Sequence, residues 1–318
     1  SGTNSYDGGT NLNGGTLANN GTLDIGGTFD LSGGAFTGTG SLTMSGGALT
    51  LPASNSVSWT NSGALTNTGT LNLAAATITN AIDNQGTINA GNGLTFTQTF
   101  INNGILILGA GTTTFSGGLV QNSGQTQLNN GSLNGSVTIN AGMLMGSGTV
   151  TGSVIFTGGT LAVGFSPGTL NIGGNLTLGS ASTTAIELGG TGGGQYDLIN
   201  VAGNAALDGA LVVTYWGGFS GGGSFPVMNW GSSSGAFAST SFPAAGFTLT
   251  YGGTGMMLDL AAVVPAVSVT NALAQLPVNP LLVMLAMNDP IEDPLMIETD
   301  ADGGIRIRSL SGGAQPCR

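Results

Sequence analysis

Apolar and polar residues alternate in short runs along most of the chain. In "NTGTLNL" at 67–73 the last leucines are separated by a single polar residue, and the same alternation returns in "SLTM" at 41–44 and "SVTI" at 136–139. A period of two predicts strands with one buried face. No stretch before about residue 260 has the 3.6-residue period of an amphipathic helix. The pattern therefore predicts an all-β chain.

A short phrase with glycine at its centre precedes many of these strands. It reads "NNGTLDI" at 19–25, "NQGTINA" at 84–90 and "NNGILIL" at 102–108. From 67–73 onward its glycine returns at steps of 17, 18 and 20 residues, at Gly69, Gly86, Gly104 and Gly124. Glycine and asparagine tolerate the positive φ of tight corners. The sequence therefore contains an internal repeat, whose unit consists of short strands joined by tight corners.

Two architectures satisfy such a repeat. Asn-Gly is a hairpin signal and would give a meander of antiparallel strands. Alternatively, each repeat is one coil of a β-solenoid and lies on the coil before it, about 4.8 Å away. The repeat length favours the solenoid, with Leu, Ile and Val inside and stacked Asn and Thr side chains forming ladders. At about 19 residues per coil, residues 1–260 would hold about 13–14 coils.

The composition supports a folded chain. Of its 318 residues 60 are glycine and only 5% are charged, yet 40% are hydrophobic. Disordered chains usually combine low hydrophobicity with high net charge. The chain begins at Ser1 and shows no signal peptide, which predicts a mature form or a fragment of a longer polypeptide.

Charge excludes several classes of partner. The chain has a formal net charge of −11, no His and no Lys, and its only basic residues are Arg306, Arg308 and Arg318. This disfavours nucleic acid and anionic lipid surfaces, which are bound through Lys and Arg. The longest apolar run, "LLVMLAM" at 281–287, is shorter than the about 20 residues of a membrane span. Cys317 is interpreted as an unpaired thiol, with a link to another chain or a lipid as the alternative.

One region carries a resemblance to a known family. The phrases "GGTLAVGFSPGTLNIGGNLTL" (158–178), "QYDLINVAGNAALDGALVV" (195–213) and "FPVMNW" (225–230) follow one another in order. Over about 158–240 the chain resembles the C-terminal part of autotransporter passenger domains, and its earlier repeats resemble large β-helical surface adhesins. The resemblance implies a right-handed parallel β-helix, exported to the surface of a Gram-negative bacterium. Only 58 residues follow Leu260, fewer than a translocator barrel needs, which predicts a cleaved passenger or another secretion route.

The last segment, residues 261–318, departs from the repeat. It has little glycine at first, then a run of acids, and its end predicts a strand pair formed by "PLMIET" and "GIRIRSL". A solenoid exposes unpaired edges at its ends, and such edges need a cap or bind another chain. We interpret 261–318 as a cap or assembly element that joins copies head to tail into a homopolymer. A cap or linker to a neighbouring domain is the alternative. The predicted interface residues are Leu281, Leu282, Val283, Leu285, Ile305 and Ile307.

The search for catalytic residues finds few candidates, and no enzyme is predicted. Without His and Lys, the Ser-His-Asp arrangement, the P-loop lysine and a Schiff base are impossible. Cleavage of a polysaccharide by paired carboxylates is a less favoured alternative. Its candidates in the repeat region are Asp24, Asp30, Asp83, Glu187, Asp197, Asp208 and Asp259.

No cofactor is predicted, and two ligand hypotheses stay secondary. Asp300 and Asp302 precede two glycines as in the start of a calcium loop, but the remaining ligands are missing. We interpret this run as a solvated acidic turn, with a Ca²⁺ site as the alternative. Trp59, Trp216 and Trp230 are sugar-platform candidates, although packing in the core or at coil edges is the favoured interpretation.

The sequence thus predicts an extracellular structural protein, a solenoid subunit of a surface fibre assembled end to end. The alternative is a monomeric adhesin or passenger stalk that binds surface glycans or matrix.

Overall fold

A computed structural model describes residues 3–44, 48–51, 57–59, 63–73, 75–165, 167–260, 295–299 and 305–309. The chain divides into two compact units, residues 1–262 and 263–318. The described residues contain strands, turns and bends but no helix. The all-β prediction is confirmed.

The described residues of the first unit form 29 strands. Its N-terminal third comprises β1 (Thr3–Tyr6), β2 (Thr10–Ala18), β3 (Thr22–Ile25), β4 (Phe29–Thr37), β5 (Ser41–Met44), β6 (Ala48–Leu51), β7 (Val57–Trp59), β8 (Leu65–Asn67), β9 (Thr70–Leu73), β10 (Thr77–Ile78) and β11 (Ile82–Asn84). The middle comprises β12 (Thr87–Ala90), β13 (Leu94–Phe96), β14 (Phe100–Asn102), β15 (Ile105–Leu108), β16 (Gly111–Phe115), β17 (Leu119–Gln121), β18 (Gln125–Asn134), β19 (Val137–Ile139), β20 (Met143–Val150) and β21 (Val154–Val163). The C-terminal part comprises β22 (Thr169–Ile172), β23 (Leu176–Leu188), β24 (Leu198–Leu207), β25 (Ala210–Tyr215), β26 (Gly223–Gly235), β27 (Ser239–Ser241), β28 (Phe247–Tyr251) and β29 (Gly255–Leu260).

Strands of successive coils pair in parallel, and most pair both with a strand one coil earlier and with a strand one coil later. One face of the unit, here called face 1, follows the register Asn4, Leu23, Leu42, Leu65, Ile82, Phe100, Leu119, Val137, Val154, Leu176, Ala205 and Ser233. Two further faces, here called face 2 and face 3, stack in the same way. Face 2 includes β9, β12 and β15, and face 3 includes β13, β16 and β22. The β-solenoid prediction is confirmed, whereas the right-handed sense of winding stays a prediction.

The number of coils is smaller than the 13–14 predicted. The prediction assumed a constant coil of about 19 residues. The face 1 register advances by 17 residues from Leu65 to Ile82 but by 29 from Leu176 to Ala205. The longer coils carry glycine-rich loops at one corner, so the same length of chain builds fewer levels.

Aliphatic and aromatic side chains from all three faces fill the interior. Leu71, Ile88 and Leu106 stack on one another and are fully buried. Phe96 stacks on Phe115 with ring centroids 5.1 Å apart. Because strand side chains alternate, each buried residue is flanked by outward-facing residues, mostly Thr, Ser and Asn. Burial of this continuous core is the main stabilising term of the unit.

The parallel stack ends in antiparallel strands. β29 pairs antiparallel with the first half of β26 on one side and with β28 on the other. Phe247 and Phe242 stack beside this sheet at 5.3 Å. An antiparallel pair gives the last coil a partner that is not another coil.

The second unit contains β30 (Leu295–Thr299) and β31 (Ile305–Ser309), which form an antiparallel pair. Ile297 lies opposite Ile307, and Glu298 lies opposite Arg306. The strand pair predicted from "PLMIET" and "GIRIRSL" is confirmed.

Candidate functional site

The predicted assembly residues divide between described and undescribed positions. Ile305 and Ile307 lie in β31, two residues apart and therefore in equivalent positions of the strand. Leu281, Leu282, Val283 and Leu285 lie outside the described residues. The calcium candidates Asp300 and Asp302 also lie outside them. The assembly interface and the calcium site stay predictions.

A ladder of buried amides runs through the solenoid beside face 1. Asn67 Nδ2 donates to Asn84 Oδ1 at 2.7 Å, and Asn84 Nδ2 donates to Asn102 Oδ1 at 2.8 Å. Asn102 Nδ2 donates to Gln121 Oε1 at 3.3 Å. All four residues are fully buried, and Asn67 Oδ1, which ends the ladder, has no hydrogen-bond partner among the described residues. These residues are the asparagines and the glutamine that precede the repeated glycine.

Each amide also bonds to the strand beyond the corner of the next coil. Asn84 Nδ2 donates to the carbonyl oxygen of Ile105 at 3.1 Å, and Asn102 Nδ2 donates to that of Gln125 at 2.9 Å. One side chain thus joins its own coil to the next coil and to the strand beyond the corner. Apart from Asn67 Oδ1, the amide oxygens and nitrogens that link the ladder are paired, and pairing is what makes buried amides tolerable. The predicted side-chain ladders are confirmed. The ladder from Asn67 to Gln121 lies inside the coils.

The carboxyl of Asp197 holds the corner of the longest coils together. Its Oδ1 accepts the backbone N–H of Gly168 and its Oδ2 accepts that of Glu187, each at 2.8 Å. The side chain is 1% exposed. Burial is the largest cause and raises the pKa of Asp197 to about 7. The two backbone hydrogen bonds lower this pKa, and the nearby Glu187 carboxyl raises it. This residue therefore titrates near neutral pH.

We expect the unit to become less stable as the pH rises from 4 to 7. The folded-state pKa of Asp197 is raised to about 7 from 3.8. The protonated carboxyl therefore stabilises the fold fully below pH 3.8, and this contribution is lost as the pH rises through 7. This predicts a fall in the free energy of unfolding on the order of a few kcal/mol. Urea unfolding at several pH values measures it.

Asp197→Asn tests the assignment, because asparagine does not titrate. The variant should lose most of this pH dependence, whereas Asp83→Asn, a change on the outward side of face 1, should keep it. A wild-type protein that becomes more stable between pH 4 and 7 would contradict the prediction.

The structure brings two of the candidate carboxylates close together, those of Asp197 and Glu187. The backbone N–H of Asp197 also donates to the carbonyl oxygen of Glu187 at 3.0 Å. Asp197 is closed to solvent, and both its oxygens accept backbone N–H groups. This pair fits a structural clamp between coils. Among the described residues, no group of three or more His, Cys, Asp or Glu side chains has a metal-binding arrangement.

Of the two tryptophans whose side chains the structure describes, one lies at the surface. Trp216 is 44% exposed, whereas Trp230 is buried; the side chain of Trp59 lies outside the described part of the structure. A Cβ built on Gly189 would lie 2.9 Å from Trp216 Cε3 and 3.3 Å from Pro167 Cγ. The indole of Trp216 and the ring of Pro167 therefore pack directly against Gly189. Phe165, two positions before Pro167 in the sequence, is 55% exposed. Phe165, Pro167 and Trp216 are here called the aromatic corner.

Two of these features could have been found by a stricter use of alternation. Asp197, Ile199 and Val201 alternate on the inward side of their segment, which places the carboxyl in the interior. Asn67 follows Leu65 at the same spacing. The partners of Asp197 were not predictable, because Gly168 lies 29 residues away across a coil of unusual length.

No helix among the described residues has the length and apolarity needed to cross a membrane. The chain matches no model of a protein family, and no curated protein matches it.

Proposed function

We propose that the chain is an exported structural protein, a β-solenoid subunit of a bacterial surface fibre that assembles end to end through residues 261–318. The observation that carries the proposal is the parallel stack of face 1, whose register continues from β1 to β26, together with the buried amide ladder beside it. Such a stack is a stiff spacer. The resemblance of about 158–240 to autotransporter passengers supports export to a Gram-negative surface.

The strand edges at the N-terminal end of the stack support assembly. Among the described strands, β1 pairs only with β3, and β2 pairs only with β4. The other edges of β1 and β2 can therefore receive a further strand. A neighbouring subunit that supplies this strand would make a heterologous contact, and such contacts give filaments when they do not close.

Electron microscopy of the purified chain tests this function. Filaments are expected, and removal of residues 262–318 should leave dispersed particles with unchanged β-rich circular dichroism. An Asp300→Asn and Asp302→Asn double variant shows whether filament assembly requires a calcium site or only the apolar contact. Dispersed monomers at every concentration, with and without Ca²⁺, would refute the filament.

A monomeric adhesin is the second candidate, and the aromatic corner favours it. An exposed indole beside flexible glycine loops suits stacking against the apolar face of a sugar ring. A glycan array should give a reproducible hit for the wild type. Trp216→Ala should reduce that binding about tenfold or more, whereas Met257→Ala, also at an exposed apolar residue, should not. Equal binding by both variants would exclude the aromatic corner.

A further inference from the structure

Four residues with short, mostly branched side chains form a column on the outward side of face 1. In successive coils Ile101 pairs with Val120, Val120 with Thr138, and Thr138 with Ile155. Their neighbours along each strand are buried, so these four point outward. The column, here called the β-branched column, is about 14 Å long at a spacing of about 4.8 Å per coil.

The column is accessible. Ile101 is 36% exposed and Ile155 is 42% exposed, and the two residues between them are half-buried. Beside it, Asn140 Nδ2 donates to Asn122 Oδ1 at 2.8 Å and Thr157 Oγ1 donates to Asn140 Oδ1 at 2.9 Å. These polar groups already pair with one another. An apolar centre with a satisfied polar margin is the usual composition of a protein interface.

The charge distribution indicates what can lie on this surface. Residues 84–186, which are 103 consecutive positions, contain no Asp, Glu, Lys, Arg or His. Residues 1–262 otherwise carry eight acids and no base. Two copies of the chain therefore repel each other through most of the unit, and this central stretch is where they can approach without like-charge repulsion.

We propose that two copies of this chain associate side by side through the β-branched column, in antiparallel orientation about a two-fold axis. In this arrangement Ile101 of one copy packs against Ile155 of the second copy, and Val120 packs against Thr138. A two-fold contact is self-complementary, as the commonest dimers are. The association is lateral and does not involve residues 261–318.

The residues at the ends of the column select the antiparallel orientation. Asp83 pairs with Ile101 on one side, and Thr177 pairs with Ile155 on the other. In a parallel, in-register contact Asp83 would face Asp83 of the second copy, which is repulsive. In the antiparallel contact it faces Thr177. The antiparallel contact thus separates the Asp83 carboxylates of the two copies.

Sedimentation velocity of the full chain over a concentration series tests the contact. Ile155→Asp places a charge at the end of the column and should weaken dimerisation about tenfold or more. Thr112→Asp adds the same charge at an exposed outward residue of face 3 and should leave it unchanged. Circular dichroism checks that both variants fold. A monomer at all concentrations in the wild type, or equal weakening by both variants, would overturn the proposal.

Disulfide trapping tests the orientation, in a Cys317→Ser background so that the added thiol is the only one. Ile101→Cys and Ile155→Cys chains are mixed and oxidised. Cross-linked heterodimers in excess of both homodimers are expected. Dominant homodimers of Ile101→Cys would overturn the antiparallel arrangement.

The result is independent of end-to-end assembly. If the proposed filaments form, Ile155→Asp should give single filaments without lateral pairs. If filaments do not form, the heterodimeric cross-link is still expected, so the failure of either proposal can be recognised separately.

Discussion

Gly104→Ala should lower the free energy of unfolding by about 3 kcal/mol or more. A Cβ built on Gly104 would lie 2.1 Å from the carbonyl oxygen of Gly86 and 2.7 Å from the carbonyl carbon of Gln85. Both are backbone atoms of the preceding coil, so no side-chain rotation relieves the clash. Overpacking of a rigid site costs about 1–3 kcal/mol and occasionally more. Urea denaturation measures the effect.

The matched control is Gly193→Ala. Nothing lies within 4 Å of a Cβ built on Gly193, so this variant should stay within about 0.5 kcal/mol of the wild type. Equal stability of the two variants would mean that coils do not approach one another at the repeated glycine. The same close approach recurs where Gly86 lies on Gly69 and Gly124 on Gly104, which explains the glycine of the repeated phrase.

Asn84→Leu should destabilise the unit by about 2–3 kcal/mol, although leucine fits the interior by size. Asn102 Oδ1 would lose its donor from Asn84, and Asn67 Nδ2 would lose its acceptor on the other side. A buried polar group without a partner costs about 1–3 kcal/mol. Hydrogen exchange should show faster opening of the coils on both sides, and denaturation measures the total loss.

Asn129→Leu is the control for polarity alone, because Asn129 is exposed in β18. It should change stability little. The same interior register holds Met44, Ile139 and Phe156 in other coils, so an apolar residue is acceptable there where no amide depends on it. A neutral Asn84→Leu would show that the ladder contributes nothing.

The sequence predicts most of the repeat and little of its irregular parts. Alternation places Leu71 and Ile88 inside, and the glycine period identifies the coil, because both depend on neighbours within one repeat. The Asn-Gly hairpin alternative is rejected by the parallel register. The coil number was wrong because loop length at a corner is free to vary once the strands stack. Asp197 received no structural role because its partners belong to other coils.

The β30–β31 pair was predictable for the same local reason. Its strands lie close in sequence, and Ile and Arg alternate in β31. By contrast, the antiparallel pairing of β29 with β26 places Leu260 opposite Gly223. No short-range sequence pattern predicts a pairing between strands so far apart in the chain.

The register of face 1 also determines how the unit would respond to mechanical load. Ile82 lies on Phe100, 18 residues away, yet the two are about 4.8 Å apart along the axis. Drawn out, those residues would span about 60 Å. A pull along the axis would peel coils from an end one after another, each releasing more than ten times its stacked height. A unit built this way would stay stiff until its end coil unstacks, and would then lengthen one coil at a time.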